Sequence, residues 1–262
     1  MRAPSERANI TGKQTIKRYT QINQYMTAVC EQGKVFLHSV NLKDRFAGPL
    51  IKQLLEWRRA CSPDYLARLD PGLKEAHHSM RDLDIDTLRF KAFEYPGIPT
   101  PGAGTAIWMG SMIRAGKSLY SDAINPRPLS KHEIKYALRK SDIELIFEEA
   151  RRRIAPNAVS RLNCLYVTDD IEVIKAIWEN PIIKVRISNG SLVSRVDMSW
   201  FDDFCDHREL NVAQCDDFVN NYWKGNPHNS DCKWEYLVDG MIEVIDGLDD
   251  LRDALNERDG LM

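Results

Sequence analysis

The chain has 262 residues, 43% of them apolar, enough to bury the core of one large domain. Charged residues make up 28%, and 14 glycines with 12 prolines are too few for a collagenous or low-complexity chain. The formal charge of −2 hides two unequal parts: residues 1–140 hold 23 Lys/Arg and 13 Asp/Glu, residues 141–262 hold 13 and 25.

Apolar positions Ile16, Tyr19, Ile22, Met26 and Val29 recur at helical spacing, so 15–30 reads as a helix ended by Gly33. Residues 34–40 form a short apolar run rich in β-formers, read as a strand. Pro49 suits the first turn of a helix carrying Leu50, Ile51, Leu54, Leu55 and Trp57. Residues 62–130, where prolines and glycines recur, read as an insertion or long loop region within one domain spanning 1–262.

Regular pattern returns at Ser141, whose spacing to Glu144 is that of a capping box. Ile143, Ile146, Phe147, Ala150 and Ile154 follow on a helical face, and Pro156 stops it. Residues 160–167 read as a strand, and Asp169 to Glu172 repeats the capping spacing before a helix. Strands are expected at about 181–187 and 192–198, with Asn189-Gly190 as the turn between them. Residues 200–222 look helical. Strands at 233–238 and 241–245 flank Asp239-Gly240, a hairpin signal. A short helix over 248–257 follows. Strands that come mostly late, with helices before the early ones, give an α+β class whose sheet draws on both ends of the chain.

No run approaches 18 apolar residues, and residues 1–9 lack an apolar signal core, so a cytoplasmic chain without a membrane segment is expected. The six cysteines contain no CxxC pair and the six histidines show no ligand spacing, so no metal site is expected. The stretch from Gly110 to Ser118 has five residues between its glycines where a phosphate-binding loop needs four, and reads as a flexible loop.

Three strand motifs remain: His38 inside the first strand, Tyr166 in a strand running into a capped helix, and Glu235 among Trp234, Tyr236 and Leu237. A carboxylate in so apolar a strand must reach a rim or find a partner, because burying it bare is costly. An edge strand facing water, a satisfied core histidine and simple tyrosine packing are the plain readings of the three taken singly. Taken in order, strand-His, strand-Tyr-helix and strand-Glu, the chain resembles the His-Tyr-Glu class of ADP-ribosyltransferases. Residues 164–170, the Ser160-Arg161-Leu162-Asn163 run, and Tyr222-Trp223 with Gly225 before the glutamate strand carry that likeness. It covers roughly 34–45 and 141–246. Lys233 stands where arginine-modifying relatives carry an acidic residue or glutamine.

The resemblance implies a split β-sheet sandwich of ADP-ribosyltransferase type with N-terminal helices and a long irregular insertion. It implies NAD as co-substrate. Glu235 would be the catalytic carboxylate, stabilising positive charge at the ribose carbon as in glycoside hydrolysis. Tyr166 would stack on the nicotinamide and His38 would hydrogen-bond the other ribose. Arg161 would meet the pyrophosphate, or else serve as a structural ion-pair residue. In a regular strand it would face away from Tyr166, so it reaches the site only if the strand starts later or bulges.

The acceptor is read separately. Arg127, Lys131, Lys135, Arg139 and Lys140, with Arg114, Lys117, Arg58 and Arg59, suggest a nucleic-acid surface, and Trp108 and Tyr120 could stack bases. Within its class the chain resembles toxins of toxin–antitoxin and phage-defence systems. That implies RNA before DNA as acceptor and an antitoxin protein as a further partner. A protein acceptor, or a non-catalytic binding module on the same fold, are the alternatives.

Overall fold

The structure, a computed structural model, describes residues 33–44, 47–70, 72, 79–91, 102–120, 127–177, 180–206 and 212–260. In chain order it contains β1 (Val35–Ser39), α1 (Gly48–Trp57), β2 (Arg59–Cys61), α2 (Pro63–Leu69), α3 (Ala103–Arg114), α4 (Lys131–Ile154), β3 (Leu165–Val167) and α5 (Ile171–Ile177). There follow β4 (Ile182–Ile187), β5 (Leu192–Asp197), α6 (Ser199–Asp206), α7 (Val212–Trp223), β6 (Trp234–Asp239), β7 (Met241–Asp246) and α8 (Leu248–Gly260). The fold is α+β with two antiparallel sheets. One has the order β1-β4-β7-β2, the other β3-β6-β5. They meet where Leu37 and Thr168 exchange backbone hydrogen bonds of 2.7 and 3.0 Å. Among the described residues no helix is long and apolar enough to cross a membrane.

Alternation along the strands divides the interior. Phe36, Val40, Leu165, Val167, Tyr236 and Val238 join Ile183, Val185, Ile242 and Val244 in one core cluster. The opposite face of β6 and β5, with Leu237 and Val196, packs on Phe147 of α4, Phe204 of α6 and Tyr222 and Trp223 of α7. The edge-on ring contacts of Phe147 with Phe204 and Tyr222 suit aromatic quadrupoles.

Neither expected turn makes a hairpin. A type I′ hairpin needs positive φ at both central residues. Gly190 has it, but Asn189, Asp239 and Gly240 do not. Both corners instead carry the chain from one sheet to the other, β4 to β5 and β6 to β7, and they pack together. A Cβ on Gly240 would stand 2.1 Å from Ser191 Oγ. Buried Asp239 accepts from Ser62 Oγ and from the guanidinium groups of Arg68 and Arg81.

Several boundaries move. The helix expected from Ser141 starts at Lys131, capped by Ser130 and Glu133, which bond each other's backbone N–H at 3.3 and 2.8 Å. Ser141 is a buried interior residue of α4, placed where Gly110 of α3 has no Cβ to obstruct it. The cap of α5 is Asp170, which accepts from Glu172 N at 2.8 Å. The helix expected over 200–222 is α6 and α7, with 207–211 outside the described residues. The helix expected over 15–30 lies outside them too. Within 62–130, α2 and α3 are regular, and Gly110 to Arg114, read as loop, is the end of α3. Met80, Leu88, Ala103 and Ile107 from this stretch pack on Leu145 and Leu162, so its described part shares the core.

Candidate active-site cleft

A cavity of 380 Å³ opens at the seam of the two sheets. Mostly apolar side chains from α1, α2, α3 and α5 line it, and its polar groups are few. His38, Glu144, Arg161, Tyr166 and Glu235 all reach it, and so does Lys140. The four residues singled out in the sequence thus share one cleft.

The placement has local causes. β3 starts at Leu165, preceded by a 3₁₀ turn, Arg161–Asn163, so Arg161 escapes the strand alternation that would have turned it away from Tyr166. Three buried acids hold this turn. Ser160 Oγ donates to Glu148 at 2.9 Å, Arg161 to Glu144, and Asn163 Nδ2 to Asp64 at 3.0 Å. Glu144 and Glu148 are one turn apart on α4 and face the same way.

Tyr166 is pinned at both ends. Its hydroxyl donates to the Arg161 carbonyl at 2.6 Å, and its own carbonyl stands 2.7 Å from His38 Nδ1. A carbonyl only accepts, so Nδ1 carries the proton. Burial lowers the His38 pKa against the opposing hydrogen bond to Tyr166, which keeps the ring neutral and leaves Nε2 an acceptor. Nε2 is buried and makes no hydrogen bond among the described residues.

Glu235 shares the helix-facing side of β6 with Leu237, and its side chain is 15% exposed. Burial pushes its carboxyl up to about 7; the Arg161 charge opposes this, while Glu144 and Asp202 add to it. Arg161 Nη1 stands 3.5 Å from Glu235 Oε2, close enough for Coulomb attraction but without hydrogen-bond geometry, so Oε2 is a second buried orphan. The guanidinium gives two hydrogen bonds to Glu144, 3.0 and 3.1 Å, and one of 2.6 Å to Tyr222 Oη. The Phe201 ring covers it at 4.0 Å. With its fork occupied, Arg161 addresses Glu235 rather than standing open to a pyrophosphate.

Sequence reading missed Glu144, Tyr222 and Phe201 as parts of this site. A signal existed: Glu144, Glu148 and Arg151 sit beside the apolar stripe of α4, where a plain amphipathic helix would not put three charges.

The basic stretch is partly neutralised. Arg127 pairs with Glu133, Arg114 with Asp142 and Arg59 with Glu243, and Arg139 donates to the Cys205 carbonyl. Lys131, Lys135, Tyr136 and Lys140 are exposed on α4. The Lys140 ammonium lies 5.4 Å from the Tyr136 ring. Tyr120 is exposed too, while Trp108 is half-buried in α3.

A search of the curated proteins gives no match. A family model described as a protein of unknown function, DUF2441, matches residues 115–250. That span contains Arg161, Tyr166 and Glu235 and excludes His38.

Proposed function

The chain belongs to the DUF2441 family, and from the geometry of its cleft we propose an NAD-dependent mono-ADP-ribosyltransferase with nucleic acid, RNA before DNA, as acceptor. The split pair of sheets would be that of the ADP-ribosyltransferase fold. One observation carries the reading: two buried polar atoms, His38 Nε2 and Glu235 Oε2, make no hydrogen bond among the described residues in one mostly apolar cleft, joined through the pinned Tyr166. Such orphans are costly and call for a ligand that satisfies them.

A ribosyl dinucleotide offers what the cleft lacks. Its ribose hydroxyls donate to His38 Nε2 and Glu235 Oε2, and Tyr166 gives a ring face to a flat base. The bond from the ribose carbon to nicotinamide breaks with its electron pair leaving on the nicotinamide nitrogen. The positive charge left on the ribose is stabilised by ionised Glu235, which acts most strongly where charge develops. An acceptor oxygen or nitrogen then bonds that carbon and releases its proton to solvent water. Exposed Lys131, Lys135 and Lys140 of α4, the last of them lining the cleft, suit a phosphate backbone, and Tyr136 suits a base.

The test is incubation with labelled NAD and, separately, RNA, DNA and protein. The expected result is nicotinamide release, label on RNA, and loss of both in Glu235→Gln. No NAD binding and no nicotinamide release would overturn the reading, and label on protein alone would overturn its acceptor. In the cell, the toxin role expects growth arrest on expression of the wild type and none with Glu235→Gln.

A further inference from the structure

We propose that Glu144, acting through Arg161, is the positioning residue of this cleft, setting how much of the Arg161 charge Glu235 receives; the catalytic part of this inference rests on the function proposed above.

The geometry sets the direction of control. Arg161 Nε and Nη2 bond the two oxygens of Glu144, and Nη1 bonds Tyr222 Oη, leaving an edge of Nη1 at 3.5 Å from Glu235 Oε2. Phe201 at 4.0 Å, Tyr166 at 5.4 Å and Tyr222 at 5.6 Å surround the guanidinium with rings. The Arg161 charge is therefore divided: Glu144 takes the well-formed contact, Glu235 the longer one. The pair also holds the turn, together with the 2.9 Å bond from Ser160 to Glu148, so a structural role alone must be told apart by titration. The groups that face Glu235 are Arg161 from the 3₁₀ turn, Glu144 from α4, Cys164 and Tyr166 at β3, Asp202 from α6 and Tyr222 from α7. Lys233 is engaged with Asp202 at 2.9 Å. Of these, Arg161 is the cation in contact with Glu235, and Glu144 holds the larger share of it.

Neutralising Glu144 removes a repelling charge and releases Arg161 toward Glu235. Both effects favour the ionised carboxylate, so Glu235 must then titrate at lower pH. Tyr222→Phe frees Nη1 alone and works in the same direction.

The experiment uses the full chain with ¹³C-carboxyl glutamate, the Glu235 signal being assigned by its loss in Glu235→Gln. In Glu144→Gln the Glu235 midpoint is expected to fall by about one pH unit or more. The acid limb of the kcat profile for NAD cleavage should follow it, with KM for NAD changed less than about threefold. Tyr222→Phe, which keeps the Glu144–Arg161 pair and so its support to folding, should lower the midpoint by a smaller amount. Unmoved Glu235 midpoints in the folded variants would overturn the proposal and leave Glu144 a purely structural partner. Wild-type protein that does not cleave NAD would instead overturn the function, and the NMR midpoints alone would then decide whether Glu144 controls Glu235.

Discussion

Glu235→Gln should separate what this carboxylate does for the fold from what it does for the chemistry. Burial, opposed by Arg161, holds the carboxyl at about 7 instead of its ordinary 4.5. At 1.36 kcal/mol for each tenfold in proton affinity, the ionised group costs the native state about 3 kcal/mol. The sign follows from proton counting. Below pH 4.5 the carboxyl is protonated in both folded and unfolded chains, and nothing differs. Between 4.5 and about 7 the unfolded chain gives up its proton while the native one keeps it, so stability falls as pH rises. Above 7 the cost is complete. Glutamine is isosteric with the protonated acid and never ionises. The variant should therefore match the wild type within about 1 kcal/mol at pH 4 and exceed it by about 3 kcal/mol at pH 8. In a chain of this size that is a Tm higher by roughly 6–10 °C. Urea unfolding of both proteins from pH 4 to 8.5 measures it. A stability gap that stays flat, or that turns against glutamine as pH rises, would refute the reasoning and show Glu235 to be a satisfied ion-pair partner of Arg161. The same variant should lose NAD cleavage by about a hundredfold or more.

Three further outcomes follow from particular contacts. His38→Ala removes the donor to the Tyr166 carbonyl and should cost about 1–3 kcal/mol; because burial lowers the His38 pKa, the His38 contribution to stability shrinks as pH falls below 6.5, opposite in sign to that of Glu235, so in urea titrations between pH 5 and 7 the gap between wild type and variant should narrow toward the acid end. Ile107→Ala, at a fully buried position under α4, should cost about 2–5 kcal/mol by chemical denaturation, which an insertion looped away from the core would not. Gly240→Ala puts a methyl into Ser191 at a sheet-to-sheet corner and should cost about 1–3 kcal/mol in the same assay.

Much of the site could be read from the sequence because strands announce themselves over few residues. His38, Tyr166 and Glu235 each lie in short apolar runs, and all three fall in strands. The corners at Asn189-Gly190 and Asp239-Gly240 were legible as turns but not as crossings between sheets. Which sheet a strand joins is decided by distant partners, here Ser62, Arg68 and Arg81 around Asp239. The start of α4 was misplaced because two capping patterns, at Ser130 and at Ser141, lie on one continuous helix; packing against Gly110 made the second an interior position. Arg161 was ambiguous for a similar reason. Its side depended on where β3 begins, and that is fixed by the acids of α4 and by Asp64, none of them near in sequence.

The uneven charge along the chain takes a different meaning in the folded protein. Lys34 pairs with Asp169, Arg59 with Glu243, Arg68 and Arg81 with Asp239, and Arg114 with Asp142, each joining the basic part to the acidic part. Much of the excess is thus met inside one molecule, and the case for an anionic partner narrows to exposed cations of α4, of which Lys140 reaches the cleft. Lys131, Lys135 and Lys140 of α4 are the test set. With a single-stranded backbone, three phosphate contacts give a slope of log affinity against log salt of about −2. Replacing the three by alanine should remove about that much slope from RNA binding and lower RNA labelling. Nicotinamide release into water should persist in the Lys131→Ala, Lys135→Ala double variant, because Lys140 alone of the three lines the cleft. A salt slope left unchanged by the triple substitution would move the acceptor surface off α4; nicotinamide release lost along with RNA labelling would mean that these lysines bind the dinucleotide instead.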